Sequence, residues 1–174
     1  MTEPADGDLL AAFCDRRDER AFATLYDRHT PYLWRFALRL SGGDDGAAQE
    51  IVHEAWVRAA ARLSAFDHTS AFRTWLAGFA VNVARELARR GADDVSLDDV
   101  VITASGDPAA AAIARVDIDR ALHRLPPGYR QLLVLHDIEG LTHEHIASML
   151  GIQPGTSKSQ LARARQKLRA LLDA

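Results

Sequence analysis

Leu125 to Leu168 reads LPPGYRQLLVLHDIEGLTHEHIASMLGIQPGTSKSQLARARQKL, and its punctuation spells out a run of short helices. Pro126-Pro127 stops whatever helix precedes it, because proline lacks the N–H that a helix interior needs. Tyr129, Leu132, Leu133 and Leu135 begin a helix that Gly140 ends. Thr142 is a good N-cap for a short helix bearing Ile146, Met149 and Leu150, and Gly151 closes that helix. Pro154-Gly155-Thr156 opens a last helix with Leu161, Ala164, Leu168, Leu171 and Leu172 on one face. Two short helices joined by a tight turn, the second basic along its outer face, form a helix-turn-helix pattern. The start of the second helix offers free backbone N–H groups and a positive dipole end, both suited to phosphate. Thr156, Lys158 and Ser159 are small or cationic enough to enter a major groove, while Arg163, Lys167 and Arg165 can clamp phosphates or reach guanine edges. The plain alternative is a basic, solvated face on a helical bundle.

Upstream, helical periodicity continues. Leu9, Leu10 and Phe13 make a short amphipathic start with Asp6 or Asp8 as N-cap. Phe22, Leu25, Tyr26, Leu33, Phe36, Ala37 and Leu40 repeat at helical spacing up to Gly42-Gly43, with Pro31 a point of kinking or breakage. A helix from about Ala47 to Leu63 buries Ile51, Ala55 and Trp56. Another starts near Ser70 as N-cap and carries Phe72, Trp75, Leu76, Phe79, Val83 and Leu87 up to Gly91. Gly91 to Pro108 is acidic and rich in Gly, Ser and Ala, with one apolar island at Val95–Ile102, and reads as a linker. Helix resumes over Ala109 to Leu125. The expected architecture is all-α: residues 1–90 as an N-terminal helical bundle, 91–108 as a flexible acidic linker, and 109–174 as a C-terminal helix-turn-helix domain.

Charge follows the same division. The net charge is −3, with 26% charged and 48% apolar residues, an ordinary globular balance. From Gly91 to Asp119 seven aspartates face only Arg115, whereas from Pro154 onward Lys158, Arg163, Arg165, Lys167 and Arg169 face only Asp173. Apolar runs are broken well short of the ~18–20 residues that span a bilayer, and MTEPADGDLL has no basic-then-apolar signal, so membrane insertion is not expected and the expected address is cytoplasmic. Cys14 is the sole cysteine, which excludes an internal disulfide and a cysteine-built zinc site. His53-Glu54 begins like a zinc-protease H-E-x-x-H, but Val57 stands at the fifth position. His136, His143 and His145 with Glu144 would need to converge to hold a metal, and His143 and His145 diverge by about 200° on a helix. No phosphate-binding glycine loop or nucleophile elbow is present, so neither a catalytic site nor a cofactor or metal is expected.

The Leu125–Leu168 run resembles the C-terminal DNA-binding domain of the extracytoplasmic-function (ECF) group of bacterial sigma factors. The matching positions are Leu125-Pro126, Arg130, Glu139-Gly140-Leu141-Thr142, Glu144, Ile146-Ala147, Leu150-Gly151-Ile152, Gly155-Thr156, Lys158-Ser159, Leu161 and Arg163-Ala164-Arg165. The N-terminal half agrees independently: ERAFATLYDRHTPYLWRFALRLSGG, EIVHEAWVRAAARL and FRTWLAGFAVNVARELARR are similar to successive segments of that family's first domain. The resemblance covers nearly the whole chain. It implies a non-enzymatic factor that binds core RNA polymerase and promoter DNA, directs initiation, works as a monomer and takes an anti-sigma partner.

It also implies sites. Glu50, His53, Glu54 and Arg58 would lie on the polymerase-facing surface. Asp67, His68, Thr69 and Ser70 would capture a flipped base of the −10 element, with Arg73, Asn82, Arg85 and Arg89 facing that DNA and Phe72 and Trp75 serving as core. His136, Thr156, Ser157, Lys158, Ser159, Gln160, Arg163, Arg165 and Lys167 would meet the −35 element. Some positions depart from the family pattern: Glu50 stands for Asp, His53 for Gln, Ser157 for the apolar anchor of the recognition helix, Gln160 for Arg, and His136 where some relatives have Arg. Fewer fixed cations weaken the salt-dependent part of DNA affinity, so unusual promoter preference or a need for help in binding is expected. A sigma-like decoy for an anti-sigma factor and a stand-alone helix-turn-helix regulator are the other readings.

Overall fold

A computed structural model describes residues 4–92 and 112–173, and within them every regular element is helical. The expected linker at 91–108 and its apolar island fall almost wholly outside the described residues.

The N-terminal bundle consists of α1 (Asp6–Arg16), α2 (Glu19–Ser41), α3 (Asp45–Ala60), a 3-10 turn (Leu63–Ala65) and α4 (Phe72–Ala92). Caps explain its boundaries. The Asp18 carboxylate accepts from Arg20 and Ala21 N–H at the start of α2, and Asp44 accepts from Ala47 N–H at the start of α3. Gly42, at φ 74°, ends α2 in the left-handed conformation. Asp6 and Asp8 do not cap α1; Ala5 precedes it without a side-chain cap, and Asp6 instead binds Arg28 Nη1 at 2.6 Å and His29 Nε2 at 2.9 Å on α2. Pro31 does not break α2, which runs through it with Leu25, Leu33 and Phe36 fully buried on either side. Packing on both flanks outweighs the ~3 kcal/mol that an interior proline costs. Helix α4 begins at Phe72, not Ser70, with the Ala71 carbonyl taking the first helical bonds.

The C-terminal part consists of α5 (Ala112–Arg124), α6 (Pro127–Leu133), a π-helical turn (Val134–Ile138), α7 (His143–Leu150) and α8 (Pro154–Leu172). Thr142 caps α7 by accepting from His145 N–H, and Gly151 at φ 63° closes it. Leu125, Leu132 to Leu135, Ile146, Leu161 and Ala164 form the core here. Leu172, expected on the buried face of α8, is 45% exposed, because Leu171 takes the inward position and the next residue turns about 100° away from it.

The two parts touch. Tyr32 O–H on α2 donates to Glu139 Oε2 at 2.6 Å, and burial foremost, with that contact beside it, holds the phenol's pKa well above its ordinary value. Arg130, only 7% exposed, donates to Leu122 O, His123 O and Leu125 O around the end of α5 and, through Nη1, to Leu40 O at the end of α2. A Cβ on Gly42 would stand 2.5 Å from that Nη1, so glycine is needed there for space as well as for its positive φ.

Arg130→Ala is expected to lower unfolding free energy by about 3 kcal/mol, since it strands several carbonyls buried away from water. Arg130→Lys recovers little, because an ammonium lacks the planar five-donor fork. Denaturant midpoints of the two variants check this, and near-wild-type stability of the lysine variant would contradict it.

Candidate nucleic-acid and polymerase interfaces

On α3, Glu50 and His53 are exposed on one stripe, and Glu50 makes only a loose 3.7 Å contact with Arg90. Glu54 and Arg58 belong to a different arrangement. Arg58 Nε donates to Glu54 Oε1 at 2.7 Å, while Nη1 and Nη2 fork onto both oxygens of Glu86 on α4 at 2.8 Å each. The bidentate geometry is the strong form of this pair. Glu86 foremost, with Glu54, raises the guanidinium pKa, and Arg58 in turn lowers that of Glu86. Arg58, expected to face a partner, is thus engaged by the fold, with Nε paired inside α3 and Nη1 and Nη2 reaching across to α4, and its side chain stays 33% exposed.

Beside that seam runs a groove of about 540 Å³, lined by Val57, Arg62, Phe79, Asn82, Arg85 and Arg89 among others. Asn82, Arg85 and Arg89 come together as expected. Arg62 joins them and was missed by sequence reasoning; it follows the end of α3, where helical periodicity no longer says which way a side chain points. Arg73 does not join them. It lies nine residues before Asn82, about 180° away around the helix, and its guanidinium sits 5.7 Å from the Tyr32 ring centroid.

The loop at 67–70 is built by its own side chains. Asp67 Oδ1 accepts from Thr69 N–H at 3.0 Å and from the Thr69 hydroxyl at 2.7 Å, which lowers the carboxyl pKa. His68 takes a left-handed conformation, φ 59°, and packs on Phe66 with ring centroids 4.6 Å apart. Phe66 and Phe72 are buried beneath it, and Trp75 is half-buried against both. Phe72 is core, as expected. His68 and Thr69 stand exposed on an aromatic base, with Ser70 partly covered beside them.

On α8 the expected contact residues divide by helical phase. Ser157, Leu161, Ala164 and Leu171 point inward and are buried. Ser157 is 0% exposed, with its hydroxyl 3.0 Å from His143 Nδ1, so it cannot meet DNA and its assignment there is corrected. Arg165 forks onto Asp137 through Nε and Nη2 and lies on the flank of the helix, not its outer face. His136 Nδ1 donates to Asp137 Oδ1 at 2.7 Å, and its ring stacks on His143 at 4.7 Å. Both residues are thus tied to other protein groups. Lys158 lies near Glu144, whose pKa is lowered chiefly by hydrogen bonds at the start of α7 and in small part by that lysine. Lys167 Nζ sits 5.5 Å from the Tyr129 ring centroid. Arg163 is exposed and enters none of the ion pairs found among the described residues; Thr156, Ser159 and Gln160 complete its side of the helix. No side chain caps the N-terminus of α8.

His136 and His143 do come together, while His145 turns to Thr142. Among the described residues no group of three or more His, Cys, Asp or Glu side chains is placed to hold a metal, and no helix is long and apolar enough to cross a membrane.

Residues 25–93 match the sigma-70 region 2 family and residues 115–168 match sigma-70 region 4. The chain is 34% identical over 172 residues to the ECF RNA polymerase sigma factor SigM of Mycobacterium tuberculosis, covering 98% of this chain and 86% of the relative. Among solved structures it is similar to CnrH, a sigma factor of Cupriavidus metallidurans, in complex with the cytosolic domain of CnrY, with TM-score 0.64, 31% identity and 98% of both chains covered. It is also similar to the sigma factor RpoE in complex with the anti-sigma factor NepR from Bartonella quintana, with TM-score 0.64, 26% identity, and 88% and 97% of the two chains covered.

The Asp137 carboxyl is held below its ordinary pKa, first by Arg165 and then by His136, against the opposing effect of burial. A carboxyl depressed in the folded state stabilises it above the unfolded pKa of about 3.9, and that contribution disappears as pH falls through the lower folded value. Asp137→Asn should therefore flatten the loss of thermal stability below about pH 4. Near neutral pH it should cost under about 1 kcal/mol, since the pair is partly exposed. Melting curves from pH 6 to 3 check both, and an unchanged acid slope would contradict the assignment.

Proposed function

The chain belongs to the extracytoplasmic-function group of bacterial RNA polymerase sigma factors, and on that footing we propose how its surfaces divide the work of promoter-specific initiation. Residues 1–90 take the region 2 tasks and 109–174 the region 4 tasks, with 91–108 as the connection. The exposed stripe of α3, Glu50 and His53 with the outer edge of Glu54, meets the polymerase. The loop at Asp67–Ser70 takes a base of the −10 element, and the groove of Arg62, Asn82, Arg85 and Arg89 follows its backbone. The outer face of α8, with Thr156, Ser159 and Arg163 and with Lys158 at its edge, reads the −35 element. The observation that carries this reading is the separation of two basic surfaces onto two helical units, each with exposed arginine that the fold itself does not use. A stand-alone regulator would not need the first unit. An anti-sigma partner is proposed from the complexes that CnrH and RpoE form.

The contacts between the units bear on mechanism. Elements centred near −35 and −10 lie roughly 25 base pairs apart, about 85 Å along B-DNA at 3.4 Å per step. A compact chain of this length has a radius of gyration near 16 Å. The Tyr32–Glu139 and Arg130–Leu40 contacts accordingly belong to the factor off the promoter, and both must open on it.

Three outcomes are expected. Added to core RNA polymerase, the chain should confer initiation from specific promoters; absence of initiation would favour the decoy reading. Glu50→Lys should weaken core binding with the melting midpoint unchanged, whereas Glu54→Lys should also cost about 1 kcal/mol of stability by unsettling Arg58. Core-binding titrations beside thermal melts separate the two. Limited proteolysis should cut first within 91–108, and the two fragments should co-elute in size-exclusion chromatography while the inter-unit contacts hold. Fragments that separate on elution would contradict the packed arrangement.

A further inference from the structure

The residues that the −35 surface gives up to internal hydrogen bonds form a connected set. Ser157, on the first turn of α8, is fully buried, so its hydroxyl needs a partner. His143, the first residue of α7, supplies it at 3.0 Å. The His143 ring stacks on His136, 4.7 Å away and within 29° of parallel. His136 is fixed by Asp137, which is acceptor-only when ionised and so takes the Nδ1–H; the 3.5 Å approach of Arg165 to that nitrogen sets two donors face to face and is no hydrogen bond. Asp137 then grips Arg165 of α8 with both oxygens. The chain of interactions leaves α8 at Ser157 and returns to it at Arg165. The π-helical turn Val134–Ile138 makes this possible, because its extra residue per turn brings His136 and Asp137 alongside α7 and α8.

We infer that this polar clip sets the angle and depth at which α8 enters the major groove, making His143 and Asp137 positioning residues for base selection. The inference rests on α8 being the −35-reading helix. Ser157 and Arg165 are eight residues apart, about 12 Å along the axis and about 80° around it. Two directional anchors at different heights and azimuths oppose both rolling and sliding of the helix. An apolar anchor at 157 would be non-directional and would leave rolling free. Ser159 and Arg163 lie about 200° and 240° around from Ser157, so rotation of the helix transfers directly to the atoms that would touch base edges.

The test uses the full chain with core RNA polymerase, initiating from a promoter library randomised over the upstream element, with transcripts sequenced to rank the bases. Asp137→Ala should flatten preference by about three- to tenfold at one or more upstream positions, the order of discrimination that hydrogen bonding to one base edge supplies. Preference at the −10 element should not change, and the melting midpoint at neutral pH should fall by no more than about 4 °C, in keeping with the small cost of losing a partly exposed pair. The charge swap Asp137→Arg with Arg165→Asp should restore the ranking. His143→Leu with Ser157→Val exchanges the buried polar pair for an apolar one, keeps the fold, and should likewise alter the ranking. A uniform loss of initiation with ranking intact would overturn the proposal, and so would an altered ranking that the swap fails to restore, which would mean that Arg165 reads DNA itself. If the unaltered chain selects no upstream bases at all, the reading of α8 fails first, and this inference with it.

Discussion

The guanidinium of Arg130 lies where two helices end. Its donors meet carbonyls at Leu122, His123 and Leu125, around the C-terminus of α5, and at Leu40, near the C-terminus of α2. Helix C-termini expose carbonyls without partners and carry the negative end of the dipole, so one cation with five donors answers both needs at once. Burial pushes its pKa down, yet arginine keeps its charge in such a setting because its starting value is so high. Everything C-terminal takes its seat from this residue. Leu132 to Leu135 pack behind it, α6 runs on into the π-helical turn, and α8 packs chiefly on α6, α7 and α5.

Charged side chains in this protein divide into those that hold the fold and those left at the surface. Arg58 is absorbed by Glu86 and Glu54, Arg28 by Asp6, and Arg165 by Asp137. Arg62, Arg85 and Arg89 around the α3–α4 groove, and Arg163 on α8, remain directed outward. The net charge of −3 conceals this, because many of the acids are spent on internal pairs or lie between Gly91 and Asp119. What DNA or a partner meets is the local field of the uncommitted cations.

Most of the fold was legible in residue order. Gly42, Gly140, Gly151 and the Pro126-Pro127 pair mark the ends of elements, and Thr142 caps as its position implied. The errors have local causes. Asp6 looked like a cap because aspartate favours that role, but a cation and a histidine 22 and 23 residues later compete for its oxygens. Pro31 looked like a break because propensity is local and packing is not. The π-helical turn has no signature of its own, since one extra residue in a helix leaves a short apolar run unchanged.

The sequence by itself determined that this chain is helical, that it divides into two units, and that the second ends in a helix-turn-helix, because periodicity, glycine and proline act over a few residues. It also determined the family, through motifs whose spacing survives without any structure. Only the tertiary structure decided which of the named side chains stay available. Ser157 and Arg163 sit six residues apart on one helix and look equally eligible in a string of letters. One is buried against His143 and the other faces outward. That difference arises from what packs against the helix from elsewhere in the chain, which depends on contacts between residues distant in sequence and so cannot be read from local spacing.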